Sequence, residues 1–239
     1  MARKPLSALQ GKCARKGVNM SCRMAISCSS SSMSEPLEKG EPVGQGSIEQ
    51  GFSPAGDESA PRLLALGSFP SIRSKEKGEY YGHPRNHFWP ILAAFAMERG
   101  IVLPPGSLDN YSAKIALASS LGLLIWDMVQ SCRRQTSADG ELEIVALNDI
   151  RDLLGQYPSI KWVGLNGALA ASLFMRHVVS PENRLLARKA LRMAGGRISI
   201  EIGGQMRSIM YLPSTSPVPS RNFRSTIDKQ HIWFEFLGA

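Results

Sequence analysis

The sequence predicts an α/β protein, a three-layer α/β/α sandwich on a mainly parallel central sheet, occupying residues 61–239. Short apolar runs bounded by Gly or Pro, such as Leu63–Leu66 and Gly122–Trp126, read as strands buried on both faces. Stretches with helical spacing lie between them, and strands alternating with helices build a parallel sheet covered on both sides. Three strand ends also open into long loops, 67–86, 127–141 and 213–224, which a parallel sheet gathers along one edge to line one cleft.

Leu63–Leu66 is the first strand, ended by Gly67. The next helix starts after Asn86: Phe88, Ile91, Leu92 and Phe95 form a core-facing stripe. Pro90 falls in its first turn, where a missing N–H costs little, and Gly100 is its stop. Pro104-Pro105-Gly106 reads as a loop, 110–119 as a helix, and Gly122–Trp126 as the second strand, ending at Asp127. Residues 131–141 read as a polar loop carrying Arg133 and Arg134, and 147–156 as a short helix. Ile160–Leu165 is the third strand, with Asn166-Gly167 opening a helix to about Arg176. Residues 183–193 read as an arginine-rich helix, the alternating Arg197–Ile202 as an edge strand, and Ser208–Leu212 as a further strand. The last helix begins near Ser225, with Asp228 three residues on in a capping-box pattern.

Residues 1–60 differ from the rest. They hold seven Lys/Arg, six Asp/Glu, few aromatics and the run Ser29–Ser32, with neither a helix nor a strand period, and are expected to be largely disordered. The first 34 residues are basic, Ser-rich and free of Asp and Glu, as a transit peptide is; without an apolar face, a plain disordered arm or a mis-assigned start fits better. Seven of the eight net positive charges therefore sit on the expected domain, which points to an anionic partner such as nucleic acid. Cys13, Cys22 and Cys28 lie in the tail and only Cys132 in the domain, with no Cys-x-x-Cys. That disfavours a cysteine-ligated metal centre or a disulfide-built fold, and no apolar run is long enough to span a membrane.

Gly67-Ser68-Phe69-Pro70, then Tyr80-Tyr81-Gly82-His83-Pro84-Arg85-Asn86-His87-Phe88-Trp89, then Leu212-Pro213-Ser214-Thr215-Ser216-Pro217 resemble the uracil-DNA glycosylase superfamily, most closely its DNA-deoxyinosine (hypoxanthine-DNA) glycosylase branch. The resemblance covers about residues 62–237 and includes Ile125-Trp126-Asp127, the Arg134, Ser137 and Asp139 loop, and Leu165-Asn166-Gly167. It implies an enzyme that removes a deaminated base (hypoxanthine, with uracil or xanthine as alternatives) from single- or double-stranded DNA. It implies no cofactor, and a monomer is expected, inside the cell: in the cytoplasm or nucleoid of a bacterium, in the nucleus or an organelle of a eukaryote. Relatives usually carry a catalytic Asp or Asn where this chain has Phe69; in the deoxyinosine branch the amide comes from the segment holding Asn86. A second departure is Ser216-Pro217-Val218-Pro219, where the family reads Ser-Pro-Ala-Asn.

On that resemblance Asn86 is the catalytic candidate, although an Asn before a helix is also a favoured cap. Gly67, Ser68, Phe69, Pro70, Tyr81 and His83 are expected around the base, with Phe69 or Tyr81 stacking on it. Ser214, Thr215, Ser216, Arg221 and Arg224 are expected at phosphates, with Phe223 as a wedge between bases. Asp127 ranks behind Asn86 as an activator of water. His83 and His87 lack ligand-spaced Asp or Cys, so no metal is expected. The absence of lysine from these motifs argues against a Schiff-base lyase step. The alternatives are a non-catalytic nucleic-acid-binding module of the same fold and a nucleoside or nucleotide hydrolase.

Overall fold

The computed structural model describes residues 47–134, 142–218, 220 and 222–239, all within one compact unit. In chain order its elements are β1 (Glu49–Gln50), β2 (Ala55–Gly56), β3 (Leu63–Gly67), α1 (Ile72–Lys77), α2 (Phe88–Glu98), α3 (Tyr111–Ser120), β4 (Leu123–Asp127), β5 (Val129–Arg133), β6 (Glu143–Leu147), α4 (Ile150–Gln156), β7 (Trp162–Asn166), α5 (Ala168–His177), α6 (Arg184–Ala190), β8 (Arg197–Ile202), β9 (Gln205–Leu212) and α7 (Thr226–Leu237).

The main sheet runs β2-β4-β3-β7-β9-β8. The four inner strands, β4, β3, β7 and β9, are mutually parallel, and each edge strand pairs antiparallel. All five residues of β3 are buried, because helices cover both faces. Leu64 and Leu66 face one core with α4, α5 and α6; Leu63 and Ala65 face the other with α2, α3 and α7. The predicted three layers and mainly parallel sheet are therefore present. After β3 the chain passes to β4 on one side and then returns to β7 on the other. The sheet order thus reverses around β3, the place where open α/β sheets form a ligand crevice.

Four features depart from the sequence reading. Residues 49–50 and 55–56, expected to be disordered, join sheets: β1 pairs with β5, and β2 with β4. Two-residue strands have no period to read; long-range backbone pairing holds them. Residues 1–46 lie outside the described residues. The loop 67–86 contains α1, a helix of six residues fixed by its ends: Ser71 accepts from the Ser74 N–H, and Gly78 adopts φ 66° to close it. The loop expected over 131–141 is instead flanked by the β5 and β6 hairpin, whose mixed polar surface hid its strands; 135–141 lie outside the described residues. The helix expected over 183–193 is a 3-10 turn, Pro181–Asn183, followed by α6. Among the described residues, no helix is long and apolar enough to cross a membrane.

Candidate active site

The inner strands end at Gly67, Asp127, Asn166 and Leu212 along one edge of the sheet. Above the first three ends opens a cleft of about 770 Å³. It brings together ten sequence-predicted residues: Gly67, Ser68, Phe69, Pro70, Tyr81, His83, Asn86, Ser214, Thr215 and Ser216. Its volume falls within the range of small-molecule clefts, roughly 300–1,000 Å³. Phe223 and Arg224 do not line it: Phe223 is half-buried against the core of α2 and α7, and Arg224 is exposed. Arg221 lies outside the described residues.

The floor is Asp127, only 3% exposed. It fits because β3 ends in a glycine: a Cβ on Gly67 would stand 2.2 Å from Asp127 Oδ1. Asn148 Nδ2 donates to the Asp127 carbonyl at 2.8 Å, holding the turn into β5. The Met128 and Val129 N–H groups donate to the carbonyls of Gly67 and Ser68, zipping the base loop to the floor.

Tyr81 stands beside this carboxylate in the left-handed region, at φ 53°, a conformation unusual outside glycine. Its neighbours hold it there. The Tyr80 N–H donates to Tyr111, Trp89 Nε1 donates to the Tyr80 carbonyl, and the Gly82 N–H donates to the hydroxyl of buried Ser74. The Tyr81 ring stacks on Phe88 at 3.9 Å between centroids. Burial, and then the Asp127 charge, push the Tyr81 phenol far above its ordinary range, while the Asn166 donor pulls the other way. Tyr81 is therefore a neutral phenol at the wall.

Asn166, to which the sequence alone assigns no role, is the knot between two walls. Its Nδ2 donates to the Tyr81 hydroxyl at 3.1 Å and to Thr215 Oγ1 at 3.0 Å, and its Oδ1 accepts from the Thr215 N–H at 2.9 Å. Thr215 is accordingly turned inward and 1% exposed, so its hydroxyl serves the fold and not a phosphate, contrary to expectation. The available signal was an amide and a Thr-Ser pair at neighbouring strand ends. Ser214 is exposed and Ser216 half-buried. From beneath, buried Lys229 donates its Nζ to the Ser216 carbonyl at 3.0 Å, and Trp233 Nε1 donates to the Pro213 carbonyl at 3.0 Å.

Asn86 sits at the rim, just before α2. Its Oδ1 accepts from the Phe88 N–H at 2.9 Å. That contact fixes which amide atom is oxygen, because an N–H must meet an acceptor. Among the described residues Nδ2 donates to no protein group. His83 Nδ1 accepts from the Arg85 N–H at 3.1 Å, which in the neutral ring places the proton on Nε2.

Phe69 is buried but lines the cleft. The guanidinium of Arg134 lies 4.9 Å over its ring. Arg134 thus faces inward, although the sequence reads it as part of a polar loop. No cluster of metal-ligating side chains occurs among the described residues.

A recessed carboxylate, an amide at the rim and an aromatic wall thus share one cleft at the carboxyl ends of the parallel strands of an α/β protein. The comparisons with known proteins give that class its family. The family model of the uracil DNA glycosylase superfamily matches residues 53–237, and the chain belongs to that superfamily. It is 30% identical over 119 residues to a protein of Methanosarcina barkeri named hypoxanthine DNA glycosylase, covering 50% of this chain and 71% of the relative. A protein of the same name from Methanosarcina acetivorans is 29% identical over 124 residues, covering 52% and 73%. A solution NMR structure of a uracil DNA glycosylase candidate from Methanosarcina acetivorans superposes with a TM-score of 0.54, covering 80% of this chain and 97% of that one. At 24% identity that likeness speaks for the fold.

Proposed function

We propose that this chain is a monofunctional DNA glycosylase that hydrolyses the N-glycosidic bond of a deaminated base, hypoxanthine first, flipped out of DNA. One observation carries the reading: Asn86, with half its amide uncommitted, and the aromatic Phe69 line the same cleft. The names of the two Methanosarcina relatives support the choice of base.

A base inside a duplex is out of reach, so the nucleotide must rotate into the cleft. Phe69 gives it a face to stack on. The Nε2–H of His83 serves a carbonyl on the base edge. As the bond from C1′ to the base nitrogen breaks, its electron pair leaves with the base and positive charge grows on the sugar. Water attacks C1′ and its released proton passes to the base or to solvent. A carbonyl oxygen has two lone pairs, so Asn86 Oδ1 can cap α2 with one and accept a hydrogen bond from water with the other. A neutral amide orients water and does not deprotonate it, so orientation and preorganised dipoles supply the acceleration. Asp127 places negative charge beneath the forming sugar cation. Among the described residues no lysine lines the cleft, which supports hydrolysis without a Schiff base. Ser214, Ser216 and Arg224 hold the backbone phosphates. We take the catalytic domain to be the expected 61–239, extended back through β2 and β1 to Glu49 by their pairing with β4 and β5.

The test is a cleavage panel on single- and double-stranded DNA carrying inosine, uracil or xanthine. Release of base fastest from inosine, leaving an intact abasic strand, is expected. DNA binding without release of any base would leave a nucleic-acid-binding module instead. Release only from free nucleosides, indifferent to salt, would point to a small-molecule hydrolase.

A further inference from the structure

The family match begins at residue 53, yet the back of the Phe69 wall is built by residues before it. Glu49 lies on β1 opposite Cys132 of β5. Its carboxylate receives both sides of the Arg134 fork, Nη2 to Oε2 at 2.8 Å and Nε to Oε1 at 3.3 Å. The third arm, Nη1, donates to the Pro70 carbonyl at 2.6 Å, and the Arg134 side chain is 2% exposed. Gly51 closes the layer: its N–H donates to the Gln130 carbonyl at 2.7 Å, and a Cβ there would come within 3.5 Å of the Phe69 ring. Lys75 donates to the Gln50 carbonyl, and Tyr80 and Trp126 donate to carbonyls of Phe52 and Ser53. The segment 49–53 is therefore a strap pulled tight behind the loop that carries Phe69.

We propose that Glu49, acting through Arg134, is a positioning residue for Phe69. A guanidinium over one face of the ring blocks that face and leaves the opposite one as the face that can stack on a base. The guanidinium stays there because Glu49 neutralises it and Pro70 takes its remaining donor. A buried charge stripped of its partner is strongly unfavourable, so without the carboxylate Arg134 is driven toward solvent and Phe69 loses its backing. The proposal rests on the glycosylase reading for its functional consequence, but not for its geometry.

The experiment uses the full chain carrying Glu49→Gln, Glu49→Asp, Arg134→Lys, Phe69→Leu, and Glu49→Gln with Phe69→Leu. Cleavage of an inosine duplex is measured alongside thermal melting and aromatic NMR of ¹³C-phenylalanine protein, with Phe69 signals assigned by their loss in Phe69→Leu. Glu49→Gln is expected to raise KM about tenfold with kcat little changed, as for a weakened stack. Arg134→Lys should follow it, and Glu49→Asp should recover most of the loss. In the Phe69→Leu background, Glu49→Gln should cost nothing further. Phe69 signals should shift in Glu49→Gln. Wild-type KM in Glu49→Gln, or penalties that multiply independently of Phe69, would overturn the proposal. If the wild-type chain cleaves no base, the glycosylase reading fails. The clamp is then judged by NMR, where unmoved Phe69 signals in Glu49→Gln overturn it and shifted signals uphold it.

Discussion

Asn86 and Asn166 are two amides on one cleft, yet they are held in opposite ways. Asn166 commits both its atoms to protein partners, two donated bonds and one accepted, and so joins the Tyr81 wall to the Thr215 loop. Asn86 commits one lone pair to the Phe88 N–H and nothing else among the described residues. Each oxygen keeps one lone pair, but Asn166 has spent both its donors on the fold while Asn86 keeps both, so Asn86 is anchored and still able to act. The difference sets the architectural Asn166 apart from Asn86, the asparagine proposed to do chemistry, without reference to sequence motifs.

The largest expected effect belongs to Asn86. Asn86→Ala should slow single-turnover cleavage of an inosine duplex by roughly a hundredfold or more, the scale of lost orientation. Its stability loss should be only about 1 kcal/mol, the worth of a cap. A urea titration beside the kinetics checks the split, and equal losses in both would make Asn86 a cap alone. Asn166→Ala should invert the pattern: with three bonds gone, unfolding free energy in urea should drop by about 2–4 kcal/mol. A stable Asn166→Ala that is catalytically dead would dissolve the distinction drawn above. Gly67→Ala sharpens it from below, because the added methyl must displace Asp127 Oδ1. Overpacking of about 1–3 kcal/mol and reduced cleavage are expected, readable by melting and kinetics.

The smallest effect is in pH. His87 donates its backbone N–H to the Thr215 carbonyl, next to the Asn166 knot. Burial, and then the charge of Lys229, hold its imidazole below the ordinary pKa of 6.5. The unfolded chain therefore takes up this proton first on acidification. His87 contributes stability above 6.5 that is lost as the pH falls toward the depressed folded value. The difference in urea midpoint between wild type and His87→Gln should shrink from pH 7.5 to pH 5. A constant difference would remove His87 from the linkage.

Three of the four inner strands were legible because a strand buried on both faces is apolar, as Leu63–Leu66, Leu123–Ile125 and Val163–Leu165 are; β9 carries Arg207 and Ser208 and was read only over its second half. The capping box of α7 was legible because its two residues are three apart, and both of its bonds form. What escaped depends on partners far away in sequence. Arg134 reads as a surface charge until Glu49, 85 residues earlier, stands beside it. Thr215 reads as a phosphate donor until Asn166, 49 residues earlier, claims it. The cleft residues near Phe69 and Asn86 were found through the family resemblance; composition alone would have left Asn86 as a cap.

Three of the four tryptophans are wired to separate walls of the cleft. Trp89 donates its indole proton to Tyr80 in the rim loop, Trp126 to Phe52 in the strap, and Trp233 to Pro213 in the final loop, while Trp162 opens β7 at the opposite edge of the sheet. The protein thus carries its own set of optical reporters. Single Trp→Phe replacements would assign each emission band to one wall, and stopped-flow fluorescence would then reveal the order in which strap, rim and final loop respond as DNA arrives.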